Sequence, residues 1–215
     1  MVRFAASSVV FAAIAAWAVR PLLPERRWWK PLALLALLGV PLNQGLFMTG
    51  LSRSTPSHAA LLYTLTPMVV LVFAALSGAE RPGRRKMLGL ALALAGAATV
   101  VLERGGGAGA LPASVTGDLL IFGAVVAWGA FTAFGKPIVS ASGPIAATSW
   151  SLVLGTVMFL PLGVPAAAAQ DWSGVSATAW WSVAYLVVFT SVVAYLCWYY
   201  ALKVLEPSRV AVFTN

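Results

Sequence analysis

Apolar runs of about 17–25 residues, the length that crosses a ~30 Å hydrocarbon core, recur along this chain between short polar breaks. They lie near 2–19, 31–52, 56–77, 87–103, 117–139, 144–165 and 179–203, and an eighth begins near Pro207 and is cut at Asn215. The breaks carry the charge, as in Pro24-Glu25-Arg26-Arg27 and Glu80-Arg81-Pro82-Gly83-Arg84-Arg85-Lys86. Backbone polar groups inside a bilayer must bond within the protein, so only helices and closed barrels span it. A barrel would show ten-residue alternating segments; these runs are continuous. The pattern predicts an all-α membrane protein.

Composition agrees. Only 9% of the residues are charged and 60% are hydrophobic, against roughly 25% charged in a soluble domain. That excludes a soluble enzyme or a nucleic-acid binder. The net charge of +8 follows from topology, because Lys and Arg collect in cytoplasmic loops. With the 20–30 loop inside and the spans alternating, Arg20, Arg26, Arg27, Lys30, Arg81, Arg84, Arg85, Lys86, Lys136, Lys203 and Arg209 fall inside, and only Arg3, Arg53 and Arg104 outside. Eleven against three predicts a multi-pass protein of the cell inner membrane, with loops 20–30 and 80–86 cytoplasmic. It also puts Met1 outside, which points to a further helix upstream. Residues 2–19 have a second reading, a secretory signal ending Ala16-Trp17-Ala18.

Offsetting the chain against itself by 151 residues pairs Trp29 with Trp180, Ala33 with Ala184, Leu35 with Leu186 and Leu51 with Leu202. Pro56-Ser57 then meets Pro207-Ser208, and Ala60 meets Ala211. The shared break is the stronger part, since each leucine stands five residues before Pro-Ser. A unit of five spans inverts its second copy across the membrane, the design of many secondary transporters. The first copy is expected over 1–103 without its first helix, an inter-repeat loop over 104–116, and the second copy over 117–215 without most of its last two helices. On this reading the chain is about seven complete helices, plus the start of an eighth, from a ten-helix (5+5) bundle.

Gly50-Leu51-Ser52-Arg53-Ser54-Thr55-Pro56-Ser57-His58-Ala59-Ala60-Leu61-Leu62, followed by Leu65-Thr66-Pro67, resembles the EamA-type drug/metabolite transporters. So do Gly78-Ala79-Glu80-Arg81 leading to Gly89 and Gly96, Gly117-Asp118-Leu119-Leu120 before Trp128, and Tyr200-Ala201-Leu202-Lys203 before Pro207-Ser208. The resemblance implies two inverted five-helix halves that move small organic metabolites or drugs by alternating access, as an exporter, with the solute in a central cavity between the repeats.

Sites in such carriers lie near the midplane, where helices are interrupted and polar groups converge. Asn43 and Gln44 follow Pro41, which leaves the Leu37 carbonyl without its helical donor. Tyr63, Thr66 and Pro67 stand at i, i+3 and i+4, and Pro67 likewise frees the Tyr63 carbonyl for a solute ammonium or hydroxyl. Trp128 and Thr132 share a face of the next repeat's first helix, with Lys136 a turn later. Ser191, Tyr195 and Tyr199 share a face at i, i+4 and i+8. Each also fits plain interhelical hydrogen bonding, the favoured reading for the hydroxyls; Asn43 and Gln44 stand evenly between the two. Lys136 is expected to snorkel to the interface, and Trp28, Trp29, Trp172, Trp180 and Trp181 to anchor at headgroup level. Gly89, Ala93 and Ala97 form a small-residue stripe suited to close packing or a homodimer contact.

Catalysis is not expected. One histidine and one cysteine, His58 and Cys197, allow neither a two-His metal site nor a Cys cluster, no G-x-S-x-G occurs, and no cofactor is implied. His58 sits one turn inside its helix and reads as a capping or packing residue. All six acids, Glu25, Glu80, Glu103, Asp118, Asp171 and Glu206, fall at span ends or in loops. That predicts facilitated transport, or coupling through groups outside the chain. The partners expected are a small-molecule solute and the lipid bilayer. The alternative is a membrane scaffold or receptor subunit without transport of its own.

Overall fold

The computed structural model describes residues 2–20, 24–102 and 114–214. Its described residues form α1 (Val2–Ala18), α2 (Arg26–Leu51), α3 (Pro56–Leu76), α4 (Arg84–Leu102), α5 (Val115–Ser142), α6 (Pro144–Ala168), α7 (Ala177–Val204) and the short α8 (Pro207–Ala211). α2, α3, α5, α6 and α7 are each long and apolar enough to cross a membrane, and α1 is a shorter apolar helix of 17 residues. The helix ends fall within a few residues of the predicted breaks, because apolar run length dictates both.

Two of these helices are not regular. α2 widens to a π-helical turn at Leu38–Leu42, which houses Pro41. α7 does the same over Leu186–Val193, with no proline inside. Under the 151-residue offset the two π segments end in register, at Leu42 and Val193. Pro56 and Pro207 likewise both open helices at N1, where proline's missing N–H costs nothing. α3 is interrupted at Thr64–Leu65, just before Pro67.

The chain divides into two compact units, each drawing on both halves of the sequence. One comprises Met1–Pro41 and Pro137–Val204, the other Leu42–Lys136 and Leu205–Asn215. The first is built around α6. Phe4 and Phe11 of α1 pack on Leu152 and Val40, and the Ser8 hydroxyl donates to Thr156 Oγ1 at 2.7 Å. The first half of α2 crosses α6 where Gly155 meets Val40 and the Ala36 carbonyl. α5 turns into α6 through Gly143 alone, at φ +82°, a conformation glycine adopts without the Cβ clash of other residues. α1 is thus packed into this unit on both apolar and polar contacts.

The second unit centres on α5. Leu62, Leu65 and Val69 of α3 pack on Ile121 and Val125. Gly129 faces Val69, and Gly50 faces Ile121. At Gly117 the neighbour is backbone: a Cβ would stand 2.6 Å from the Arg53 carbonyl carbon and oxygen. Backbone cannot swing aside as a side chain can, so Gly117→Ala is expected to lower unfolding stability by about 1–3 kcal/mol, read by thermal or denaturant unfolding in detergent.

Tryptophans at the span ends make local contacts. Trp29 Nε1 donates to the Pro24 carbonyl at 3.0 Å, and Trp172 stacks on Trp180 at 6.0 Å between ring centroids. In the small-residue stripe of α4, Gly89 faces open space; the side chains of Ala93 and Ala97 lie outside those described.

Candidate functional site

The second unit gathers neutral polar groups within its apolar helices. Asn43, just past the π turn of α2, is 2% exposed. Its Nδ2 donates to the Ala124 carbonyl of α5 at 2.8 Å and to the Tyr63 hydroxyl of α3 at 3.2 Å. Its Oδ1 accepts from Gln44 Nε2 at 2.9 Å. Asn43 is therefore fully engaged and joins three helices. Tyr63 accepts from it and retains its own O–H proton to donate; its ring meets Phe47 edge-on at 5.5 Å. Asn43 and Tyr63 lie eight and seven residues from the helix ends that flank the 52–55 turn. At 1.5 Å per residue that is about 11 Å along the axis, deep in a ~30 Å core.

The break in α3 has an internal explanation. Pro67 cannot donate to the Tyr63 carbonyl, and the Thr66 hydroxyl takes the vacancy at 2.6 Å. The carbonyl that the sequence left open to a solute is thus already bonded. Trp128 and Thr132 follow Ala124 by one and two turns of α5. Trp128 stacks on Phe131 at 5.1 Å, and the Thr132 hydroxyl is buried with no hydrogen-bond partner. Lys136 donates to the Leu205 carbonyl, a backbone contact beyond the simple snorkel expected of it.

Ser191, Tyr195 and Tyr199 belong to the other unit. Tyr199 is fully buried, its hydroxyl donating to Ser151 Oγ over a long 3.4 Å. Tyr195 packs on the Phe4–Phe11–Leu152 core. Ser191, 1% exposed and inside the π segment, buries its hydroxyl without a partner.

Two acids that the sequence placed at span ends are buried there, Glu80 at 5% exposure and Asp118 at 4%. Each holds the start of one of the two Pro-Ser helices. Glu80 Oε1 accepts the Ser208 N–H at 2.8 Å, and its Oε2 accepts the Ser208 hydroxyl at 2.6 Å and Lys86 Nζ at 3.0 Å. A carboxylate on the free N–H groups of a helix start is stabilised by them and by the helix dipole. Burial pushes the Glu80 carboxyl up, but the Ser208 hydroxyl and N–H and the Lys86 ammonium outweigh it and hold it below the usual carboxylate value. Asp118 accepts from the Ser54 hydroxyl at 2.5 Å and meets His58 Nδ1 at 3.1 Å. Ser54, His58 and Ser208 stand 60 or more residues from the acids they meet, so the local sequence did not mark these contacts.

Helices of spanning length, π turns at matching positions and a neutral polar cluster inside one unit define a multi-pass, all-α membrane protein. The EamA-like transporter family model matches residues 1–102 and 115–215, and the chain belongs to that family. It is similar to uncharacterized transporter YyaM of Bacillus subtilis, 26% identical over 186 residues, which cover 84% of this chain and 59% of that protein. It is also 27% identical over 199 residues to the "Probable terminal-alkyne amino-acid exporter" of Streptantibioticus cattleyicolor, covering 93% of this chain and 64% of that one. The chain thus spans about three fifths of the length of these relatives. A solved crystal structure shares the fold, with a TM-score of 0.69 and 20% identity over 99% of this chain and 71% of its own.

Proposed function

We propose that this protein carries small organic solutes across the cell inner membrane by alternating access, as an exporter, with the 20–30 and 80–86 loops cytoplasmic. The observation that carries the reading is the Asn43–Tyr63–Gln44 cluster, a bonded set of neutral polar groups deep in apolar helices beside a π turn and a proline break. Polar groups at such depth are costly and usually mark a solute path. Asn43 acts as the organiser, and Tyr63 and Gln44 meet the solute. Trp128 and Thr132 extend the wall along α5, and Thr66 and Pro67 fix the break that presents Tyr63. Ser191, Tyr195 and Tyr199 are the corresponding candidates in the other unit. A cluster of neutral side chains suits uncharged or zwitterionic solutes, and the similarity to a protein named as an amino-acid exporter supports the same class and direction. The repeats are assigned to 1–103 and 117–215, joined by the 104–116 loop.

The test is counterflow. Proteoliposomes bearing the protein and loaded with unlabelled solute should accumulate a labelled zwitterionic amino acid transiently and saturably. Labelled uptake that matches protein-free vesicles across amino acids, nucleosides and cationic drugs would leave the scaffold reading instead.

A further inference from the structure

The first unit carries a cavity that the proposed solute path does not use. It has a volume of about 190 Å³ and lies where the end of α1 (Arg20), the entry to α2 (Glu25, Trp28) and the α5–α6 turn (Ser142, Trp150) meet. One water takes about 30 Å³ in the liquid, so the space admits a small polar group with its substituents.

Arg20 folds back on its own helix. Its Nη1 donates to the Ala16 carbonyl at 2.9 Å and, over a long 3.4 Å, to the Val19 carbonyl. Those bonds cap the negative end of α1 and use one nitrogen. Nε and Nη2 form another edge of the guanidinium fork, which can grip a phosphate through two parallel bonds. Two helices also begin at the cavity. α2 opens at Arg26, between Glu25 and Trp28, and α6 opens at Pro144, with Ala146 of its first turn on the cavity wall. The N–H groups of helix starts favour an anion. Among the described residues Glu25 is the one acid on the wall, and its Oε2 meets Arg27 Nε at 2.8 Å, a cation that offsets its charge. Ser142 Oγ donates to the Ile138 carbonyl at 2.8 Å and keeps its lone pairs to accept from a hydroxyl. The half-buried indoles of Trp28 and Trp150 add flat apolar sides of the kind that sits among headgroups. Back along α1, Trp17 and Val10 stand about one and three turns from Arg20 on one side of the helix, both exposed. They form an apolar track leading away from the arginine.

We propose that this cavity binds the headgroup of an anionic phospholipid that carries a hydroxyl. The phosphodiester sits on Arg20, the headgroup hydroxyl on Ser142, and an acyl chain along Trp17 and Val10. Free phosphate shares the anion chemistry but leaves the indoles and the apolar track without a use. The surrounding segment draws such lipids in: Arg20, Arg26, Arg27 and Lys30 stand against Glu25 alone, and basic residues flanking a span are attracted to an anionic bilayer surface. The site lies wholly in the first unit and does not depend on the transport reading.

The experiment is native mass spectrometry of the purified, delipidated full chain in detergent, titrated with phosphatidylglycerol and with phosphatidylcholine of the same acyl chains. Wild type should bind phosphatidylglycerol about tenfold more tightly. Arg20→Gln should erase that preference, and Arg20→Lys, which keeps the charge and loses the fork, should lose most of it. Arg26→Gln removes the same charge from the same segment at a residue off the cavity wall, and should change the preference by less than about twofold. Trp150→Leu alters no charge and should weaken phosphatidylglycerol binding about threefold. Equal affinity of wild type for the two lipids would overturn the proposal. So would equal losses in Arg20→Gln and Arg26→Gln, the mark of diffuse surface charge, or displacement of bound phosphatidylglycerol by equimolar inorganic phosphate, the mark of a free-phosphate site. Where the Arg20 variants do not fold, the wild-type preference and the contrast of Trp150→Leu with Arg26→Gln decide it: unchanged binding in Trp150→Leu would overturn the cavity site.

Discussion

Asn43→Ala is expected to abolish solute counterflow, leaving a tenth or less of the wild-type rate, and to lower stability by about 1–2 kcal/mol. The rate loss follows from geometry. Asn43 ties α2 to both the Ala124 carbonyl of α5 and the Tyr63 hydroxyl of α3, and it orients Gln44 through Oδ1. Removing the amide releases at once both side chains proposed to meet the solute, and misplacement of about 1 Å can cost a factor of a hundred. The stability loss is smaller because interhelical hydrogen bonds in membranes average about 0.6 kcal/mol, the unfolded reference finding partners of its own. A buried carbonyl and hydroxyl left without their donor add to it. Counterflow and thermal unfolding on the same preparation separate the two effects: a rate loss much larger than the lost folded fraction assigns Asn43 to the solute path. Unchanged counterflow with lowered stability would make it simple interhelical glue.

Glu80→Gln is expected to cost about 2 kcal/mol of stability at neutral pH, in the range for hydrogen bonds to a charged group. The glutamine oxygen can still accept the Ser208 N–H, but its amide nitrogen cannot accept from the Ser208 hydroxyl or from Lys86 Nζ. Lys86, about a third exposed, turns partly to water, which keeps the loss below that of a fully buried pair. The pH dependence has a definite sign. A carboxyl held below its ordinary value of 4.5 when folded contributes stability that is fully present above that value and lost as pH falls through the folded one. The gap between wild type and Glu80→Gln should therefore be constant from pH 8 to about 5 and close below about pH 4. A gap that persisted undiminished at pH 3 would show that Glu80 acts through shape alone.

The helices were legible in the sequence because a bilayer imposes length and apolarity on every span, and these are local properties. The breaks at 52–55 and 204–207 and the proline interruptions were legible for the same reason. The 151-residue pairing of Leu51 and Pro56 with Leu202 and Pro207 carried over to helix starts at both prolines and to π turns that end in register. The π turn in α7 had no sequence signal, since nothing in Leu186–Val193 removes a backbone donor as Pro41 does. The polar residues stand out in the sequence against their apolar runs, but their partners do not. Asn43 with Tyr63 needed only neighbouring helices, whereas Asp118 with His58 and Glu80 with Ser208 join segments 60 and 128 residues apart. An acid at the end of a span looks solvated in sequence, and only the packing of another helix start against it shows that it is buried. Pro67 gave the opposite lesson: the freed Tyr63 carbonyl was a sound local deduction, and the next hydroxyl along, Thr66, had already filled it.

The central claim, that a solute passes Tyr63 where Asn43 holds it, is tested most directly by counterflow of a labelled zwitterionic amino acid with wild type and Tyr63→Phe in parallel. Phenylalanine keeps the ring and its edge-on packing on Phe47 and removes only the hydroxyl. The account predicts saturable counterflow in wild type and a half-saturating concentration about tenfold higher in the variant, the loss of one hydrogen bond worth about 1.4 kcal/mol. Identical half-saturation in the two proteins, or no counterflow in wild type, would contradict it.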